Sequence, residues 1–493
     1  MTSTTTTTPR KAPGKPRAVN AKLIGGLLGP ALFLLIVSLP ELGGMGQSAQ
    51  AVLAITAWVA TWWIAETVPL AATALIPLIL FPIFGVAERD DVIAAYANDI
   101  IFLFLGGFII AAALEKVNLH RRIALSIINV MGTNPSRLVL GFMIATMFVS
   151  LWISNTATTM MMIPIALSIL SQFHFKDNDE ENRKVRLLEK ALIFGTAYAA
   201  TAGGMGTLIS GTPNPIFAAQ ALEVADVEIG FGQFMLFGIP AAILSTLVIW
   251  LYLTRVKFKV GHQPVPGAKE IIQEELQALG KMSRDEVLVL VTSASIAFLW
   301  ITRTFLWSNL IPSLSDGMIS VAGVVALFLL PAKGGGRLLT WKDTAKVPWD
   351  VLLLFGGGLA IAVGFEQSGL SEWFGSSLGI LQGAPPVLVV FVGATLVLFL
   401  TEITSNTATA TLLIPVFGVV ASAIGMDPMP LMLAAALGAN FAFMLPVATP
   451  PNAIAYGTGK ISIREMVTTG FWLNIVHAFY ITAIVMLWFP VVF

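Results

Sequence analysis

Cysteine is absent from the 493 residues, which excludes disulfides, thiol nucleophiles and thiolate metal sites. Charge is scarce: only 11% of the residues are Asp, Glu, Lys or Arg. Soluble domains carry roughly 25%, so the chain reads as an integral membrane protein. Net charge is lacking too, with 28 basic against 28 acidic residues, and a chain without basic excess offers nucleic acid no electrostatic footprint. Four histidines occur, His120, His174, His262 and His477. None stands at a metal-binding spacing such as HExxH, and each reads as a loop or interface residue. No nucleophile with a positioned base stands out, so the chain is not expected to be an enzyme or to hold a cofactor.

What is present is apolar: 56% of the residues are hydrophobic and the mean hydropathy is +0.84. Residues 1–22, MTSTTTTTPRKAPGKPRAVNAK, are polar and basic. They read as a disordered cytoplasmic tail rather than a cleaved signal. A helix needs about 20 residues to cross a membrane. Eleven apolar segments approach that length, near 23–39, 50–65, 68–86, 99–116, 190–222, 231–254, 286–306, 315–331, 350–368, 429–456 and 466–493. Two further stretches, 136–172 and 385–424, are too long for one span, and each is interrupted by SNTAT, at 154–158 and 405–409. Each reads as a re-entrant helical hairpin whose polar tip stops inside the membrane, where protein or water must cover it.

With a cytoplasmic N-terminus and hairpins that return to their own side, all 28 Lys and Arg except Arg89 and Arg303 fall in cytoplasmic segments. That bias supports the topology and puts the C-terminus outside. Between the halves, 255–285 is a cytoplasmic linker whose KEIIQEELQALGKMSRDE reads as an amphipathic surface helix.

Adding 251 to a residue number carries the first half onto the second. Asp99 meets Asp350, Gly106-Gly107 meets Gly357-Gly358, Glu115 meets Glu366, Leu119 meets Leu370, SNTAT meets SNTAT and Pro164 meets Pro415. So many matches in one ungapped register indicate a duplication, with cores at 99–254 and 350–493. Five crossings separate the copies, an odd number, so they point opposite ways. Inverted repeats with discontinuous helices meeting at the midplane are the architecture of secondary transporters. After each hairpin comes a second break, TAGGMGTLISGTPNP (201–215) and LPVATPPNAIAYGTG (445–459). Gly and Pro at that density free backbone carbonyls and N–H groups for ions.

Hydroxyl and amide oxygens at the tips suit a hard cation. Their donors, with helices beginning just after each SNT, suit a carboxylate. Two tips from opposite sides can hold the two ends of a dianion. Neither hairpin core carries Lys or Arg, so bound cations must compensate the charge, which favours sodium coupling. For one isolated SNT, packing within the membrane is the commoner explanation; two copies in register, each followed by a Gly/Pro break, make it the weaker one. Glu402, the only acid close to a tip, reads either as a proton or cation ligand or as an interior carboxyl paired with a hydroxyl. Glu66 reads as interfacial, Asp99 and Asp350 as acids at helix N-termini, and the Trp residues as belt or packing residues.

These motifs resemble the divalent anion/sodium symporter family, which carries di- and tricarboxylates or sulfate. The paired SNT motifs stand at 154–156 and 405–407, and a C-terminal signature is visible in ANFAFMLPVATPPNAIAYG (439–457), with Asn440 and Ala455 where some members have Ser and Val. The resemblance implies an all-α polytopic homodimer with about eleven transmembrane helices. Scaffold helices (23–98 and 286–349) would flank a transport domain that moves as an elevator. It further implies a first sodium site at Ser150, Ser154, Asn155 and carbonyls around Gly203, and a second at Thr401, Asn406 and carbonyls around Thr404 and Ala448. Substrate carboxylates would meet Ser154, Asn155 and Thr156 on one side, and Ser405, Asn406, Thr407, Thr449 and Pro450 on the other.

The expectation is a plasma-membrane importer, contacting lipid, that couples sodium to C4-dicarboxylates such as succinate, fumarate and malate. Sodium-independent exchange, or symport of citrate or sulfate, stand beside it. A channel would need a continuous polar pore, which the apolar hairpin arms argue against. The topology has a direct test: a Cys placed at Gly383 should react with an impermeant thiol reagent from outside, and labelling only from the cytoplasm would overturn it.

Overall fold

A computed structural model describes residues 17–41, 44–132, 134–171, 179–261, 267–377 and 383–493. Residues 1–16, His174 and His262 lie outside them. Among the described residues the regular structure is helical, with one isolated bridge between Pro331 and Arg337. Five helices come first: α1 (Arg17–Ser38), α2 (Gln47–Ala65), α3 (Leu70–Ala74), α4 (Ile76–Ile83) and α5 (Arg89–Ala95). Residues 17–22, expected in the tail, open α1 instead, because no proline follows Pro16 until Pro30.

The next seven are α6 (Asp99–Lys116), α7 (Leu119–Met131), α8 (Pro135–Ser150), α9 (Asn155–Leu170), α10 (Asp179–Gly203), α11 (Pro213–Ala225) and α12 (Phe231–Leu251). The linker holds α13 (Ala268–Ala278), and α14 (Arg284–Thr302), α15 (Ser308–Leu310) and α16 (Asp316–Leu329) follow. Then the seven-helix order returns as α17 (Trp349–Gln367), α18 (Leu370–Ser377), α19 (Pro386–Leu400), α20 (Asn406–Ala423), α21 (Pro428–Asn440), α22 (Pro450–Gly457) and α23 (Ile463–Leu487), with α24 (Phe489–Val492) at the end. Among the described residues, seven helical stretches are long and apolar enough to cross a membrane.

Several apolar segments that read as single spans are two helices. The 68–86 segment divides into α3 and α4 at Leu75, and 190–222 and 429–456 divide at the Gly/Pro breaks. Two helices escape a search for long apolar runs: α7 and α18 are short and amphipathic. On α7, Leu119, Ala124, Leu125 and Ile128 face inward. Its Arg121 pairs with Glu275, while Arg122 pairs with Glu286 at 2.8 Å and donates to the carbonyls of Leu279 and Gly280. The linker is thereby docked onto α7.

Local chemistry sets the helix starts. Asn98 accepts from Ile100 N, Asn134 with Pro135 opens α8, Asp427 with Pro428 opens α21, and Ser283–Glu286 and Ser462–Glu465 are capping boxes, each satisfying orphan N–H groups. Asp99 does more than sit at a helix start: it accepts from Ser315 Oγ (2.6 Å) and Gly317 N (3.1 Å), tying α6 to α16.

Packing within each repeat is parallel in plan. Helix α8 lies on α10 and α19 on α21; α9 lies on α10 and α20 on α21. The repeats then cross over: α11 of the first packs on α20 and α21 of the second, and α22 of the second packs on α9 and α10 of the first. The matched glycines permit close approach. A Cβ on Gly107 would stand 2.7 Å from Ile209 in the first break, and one on Gly357 would stand 2.6 Å from the Ala74 carbonyl. Gly357→Ala should therefore cost about 1–3 kcal/mol through overpacking. Gly457→Ala, with open space around the site, should cost nothing. Unfolding midpoints in detergent compare the two, and equal midpoints would contradict the packing.

Candidate functional site

Both SNT motifs lie at turns between paired helices, α8–α9 and α19–α20, and both second helices begin at the Asn, Asn155 and Asn406. The N-terminal N–H groups of α9 and α20 thus face the tips, where an anion is favoured. At the first tip Ser154 is exposed and its Oγ accepts from Ala157 N at 3.2 Å, leaving its own proton free. Asn155 and Thr156 are half-buried. Thr158 and Thr159 turn back to the carbonyls of Ser154 (3.1 Å) and Asn155 (2.7 Å) and belong to the helix.

Ser150, Asn155 and Gly203 come together. A Cβ on Gly203 would stand 2.7 Å from Ser150 Cβ, and one on Gly204 would stand 2.6 Å from Asn155 Nδ2. Ser150 Oγ and Asn155 Oδ1 are buried oxygens without a hydrogen-bond partner in the protein. Buried oxygen left unpaired is costly, and two such atoms flanking one break suit a hard cation. Ser154, next to Asn155 in the chain, caps α9 through its Oγ.

The matched positions of the second tip are arranged differently. Thr401, the counterpart of Ser150, donates to Oδ1 of Asn406, the counterpart of Asn155, at 2.6 Å. Thr404 Oγ1 turns to the Leu400 carbonyl (2.8 Å) and to Thr409 Oγ1 (2.6 Å). Ser405 and Asn406 are half-buried, and Thr407 Oγ1 lies 2.7 Å from Thr212 Oγ1. In the second break Thr449 is buried and caps α22 by accepting from Asn452 N (3.3 Å), Pro450 is exposed at the start of that helix, and Ala448 is buried in a turn closed by its N–H to Leu445 O (3.2 Å).

Each break is held by an asparagine. Asn214 Nδ2 donates to the carbonyls of Gly204 (2.8 Å) and Thr207 (2.7 Å). Asn452 Nδ2 donates to those of Ala442 (2.9 Å) and Leu445 (3.1 Å). All three positions differ by 238, so the breaks repeat in a second register, with a shared Pro-Asn at 213–214 and 451–452. The Pro-Asn pair is legible in the sequence, but its spacing of 238 falls outside the 251 register. Asn440 joins the two breaks, donating to Asn214 Oδ1 at 2.8 Å.

Glu402 is neither paired with a hydroxyl nor open to solvent. It is 3% exposed and accepts from the N–H groups of Phe443 (2.7 Å), Met444 (2.9 and 3.0 Å) and Leu445 (3.1 Å), and from Asn474 Nδ2 (2.8 Å). Its counterpart is Leu151, whose carbonyl accepts from Thr207 Oγ1 at 2.8 Å. Both repeats therefore tie the hairpin turn to the break, one by a neutral hydroxyl and the other by a carboxylate. His477, read as a loop or interface residue, is instead fully buried. It bonds to Ser245 Oγ (2.9 Å) and Leu473 O (2.9 Å) and packs on Phe441 and Phe443 of the second break. Sequence missed it because one apolar helix looks alike on every face.

Residues 20–493 match the family model described as the sodium:sulfate symporter transmembrane region. The chain is similar to the sodium-dependent dicarboxylate transporter SdcS of Staphylococcus saprophyticus, at 45% identity over 94% of this chain and 91% of the relative. It is similar to SdcS of Staphylococcus aureus strain USA300 at 44% identity over 96% and 92%. Among solved structures it resembles the Alcanivorax borkumensis YdaH transporter, with a TM-score of 0.60 and 15% identity over 96% of this chain and 98% of that one. The Neisseria gonorrhoeae MtrF structure gives a TM-score of 0.52 and 12% identity over 96% and 95%. At those identities the likeness is one of fold.

The Glu402 clamp gives a test that needs no substrate. Glu402→Ala leaves three backbone N–H groups and the Asn474 amide without their acceptor, at a cost of about 3–5 kcal/mol. Ile403→Ala, at a neighbouring side chain that is 73% exposed, should cost little. A Glu402→Ala unfolding midpoint equal to that of the Ile403 variant would refute the clamp.

Proposed function

The chain belongs to the sodium:sulfate symporter family of membrane transporters, and from that premise we propose that it couples inward sodium movement to the uptake of C4-dicarboxylates such as succinate, fumarate and malate. The observation that carries this reading is the pair of SNT tips, each opening a helix and each backed by a broken element. Two helix N-termini with serine, threonine and asparagine donors match the two carboxylates of a short dianion. The named function of the staphylococcal relatives supports the same substrate class and the same coupling ion.

Sodium enters as a transported partner. Ser150 Oγ, Asn155 Oδ1 and the Gly203 region supply oxygen at the first tip, and the unpaired state of the two side-chain oxygens favours a cation there. At the second tip, Asn406 would have to exchange its Thr401 hydrogen bond for a cation, with carbonyls around Thr404 and Ala448 completing the set. Cation binding would fix both Asn side chains and the backbone around them before the anion arrives. Coupling then follows as a difference in anion affinity between sodium-bound and sodium-free protein.

In this reading the repeats are inverted, the N-terminus is cytoplasmic and the C-terminus outside. The transport cores move as an elevator against scaffold helices in a homodimer, within about eleven membrane crossings. The cross-packing of α11 on α20 and α22 on α9 supports a transport core in which both tips travel together, as alternating access requires.

The test is radiolabelled succinate uptake into proteoliposomes under an inward sodium gradient, then with potassium replacing sodium. Sodium-dependent uptake, with Asn155→Asp and Asn406→Asp each abolishing it while still inserting in the membrane, is the expected outcome. Uptake that needs an internal dicarboxylate and ignores sodium would make the protein an exchanger.

A further inference from the structure

Thr212 lies in the first break, and its hydroxyl is 2.7 Å from that of Thr407 in the second tip. The SNT motifs do not contain it, and it comes from the opposite repeat. We propose that Thr212 is a positioning residue of the anion site, donating to Thr407 Oγ1 so that the Thr407 proton is aimed at a substrate carboxylate. The proposal rests on the reading of the tips as a dicarboxylate site.

A threonine hydroxyl has one proton to give and two lone pairs to accept with. Left alone, the Thr407 hydroxyl rotates among several acceptors. A donor fixed on one lone pair leaves its proton pointing elsewhere, and the half-exposed tip is where that proton can meet an anion. A donor that polarises the hydroxyl also strengthens the bond it gives in turn.

Thr212 is held firmly enough for this task. Two residues on, Asn214 is bonded to Gly204 O, Thr207 O and Asn440 Nδ2. One residue before, Gly211 has no room for a side chain, since a Cβ would run into the Gly204 carbonyl and Asn440 Oδ1. Thr212 is therefore carried on a segment pinned to its own repeat and to the other. The contact is also one-sided. In the register of the breaks, the position matching Thr212 is Pro450, which has no hydroxyl to offer the first tip. The two ends of the substrate would thus be held differently.

Thr212→Val should raise the succinate KM about three- to tenfold, the worth of one neutral hydrogen bond that orients the Thr407 hydroxyl. The maximal rate and the sodium half-saturation should stay within twofold of wild type, and Thr212→Ser should restore the KM. Because Thr212 acts through Thr407, Thr212→Val combined with Thr407→Val should be no worse than Thr407→Val alone. An unchanged KM in Thr212→Val, an equal rise in sodium half-saturation, or multiplied losses in the double variant would each overturn the proposal.

A second measurement bypasses transport. The chain has no native cysteine, so Thr212→Cys with Thr407→Cys should form an oxidant-induced cross-link in the full-length protein, and failure to form one overturns the contact. A cross-linking pair in a protein whose wild type takes up no dicarboxylate removes the functional reading, and with it the role of Thr212. Normal wild-type uptake with an unaffected Thr212→Val overturns Thr212 alone.

Discussion

A helix broken inside a membrane exposes backbone carbonyls and N–H groups where water cannot reach them, and the structure depends on how those groups are satisfied. Each break is closed by an asparagine amide that bridges two carbonyls, Asn214 across Gly204 and Thr207, and Asn452 across Ala442 and Leu445. Ser210 adds bonds to Gly204 O and Thr207 O at 2.9 Å, and Tyr198 Oη donates to Phe443 O at 2.7 Å. Among the described residues, the buried oxygens still unpaired there include Ser150 Oγ and Asn155 Oδ1 at the first tip and Asn452 Oδ1 in the second break.

Identical SNT motifs do not make identical half-sites. The turn of the second hairpin carries Glu402 where the first has Leu151. A carboxylate buried without a cationic side chain among the described residues is tolerable because three backbone N–H groups and one amide surround it. Glu402 is the chain neighbour of Thr401, a proposed cation ligand. The first tip has no such carboxyl, and its Ser150 Oγ and Asn155 Oδ1 are unpaired, whereas Thr401 donates to Asn406. The duplication supplied two frames, and single substitutions at matched positions gave them different electrostatics.

The frames also depend on each other. Helix α11 rests on the second hairpin and α22 on the first, Asn440 bonds to Asn214, and Thr212 meets Thr407. The second tip takes a hydrogen-bond partner from the other repeat. A displacement that separates the repeats would break the Asn440–Asn214 and Thr212–Thr407 hydrogen bonds.

Membrane residence, the duplication and the two tips were legible in the sequence because each leaves a local trace: low charge, apolar length, or a motif repeated at 251. The hairpin helices could be placed from SNT alone, since Ser and Asn terminate one helix and start the next. The amphipathic α7 and α18 were not, because a short helix with one polar face leaves no long apolar run. The second register, 238 for the breaks, was masked by the change of spacing between hairpin and break in the two halves. The partners of Glu402 lie 41 to 43 residues away on the backbone and 72 away at Asn474, and Thr212 lies 195 residues from Thr407. Which groups sit at the tips follows from residue order alone, because residue type and spacing are properties of the chain. Which of those groups are already bonded and which remain free depends on the packed fold, because a hydrogen bond between distant residues exists only once packing has brought donor and acceptor to within about 3 Å.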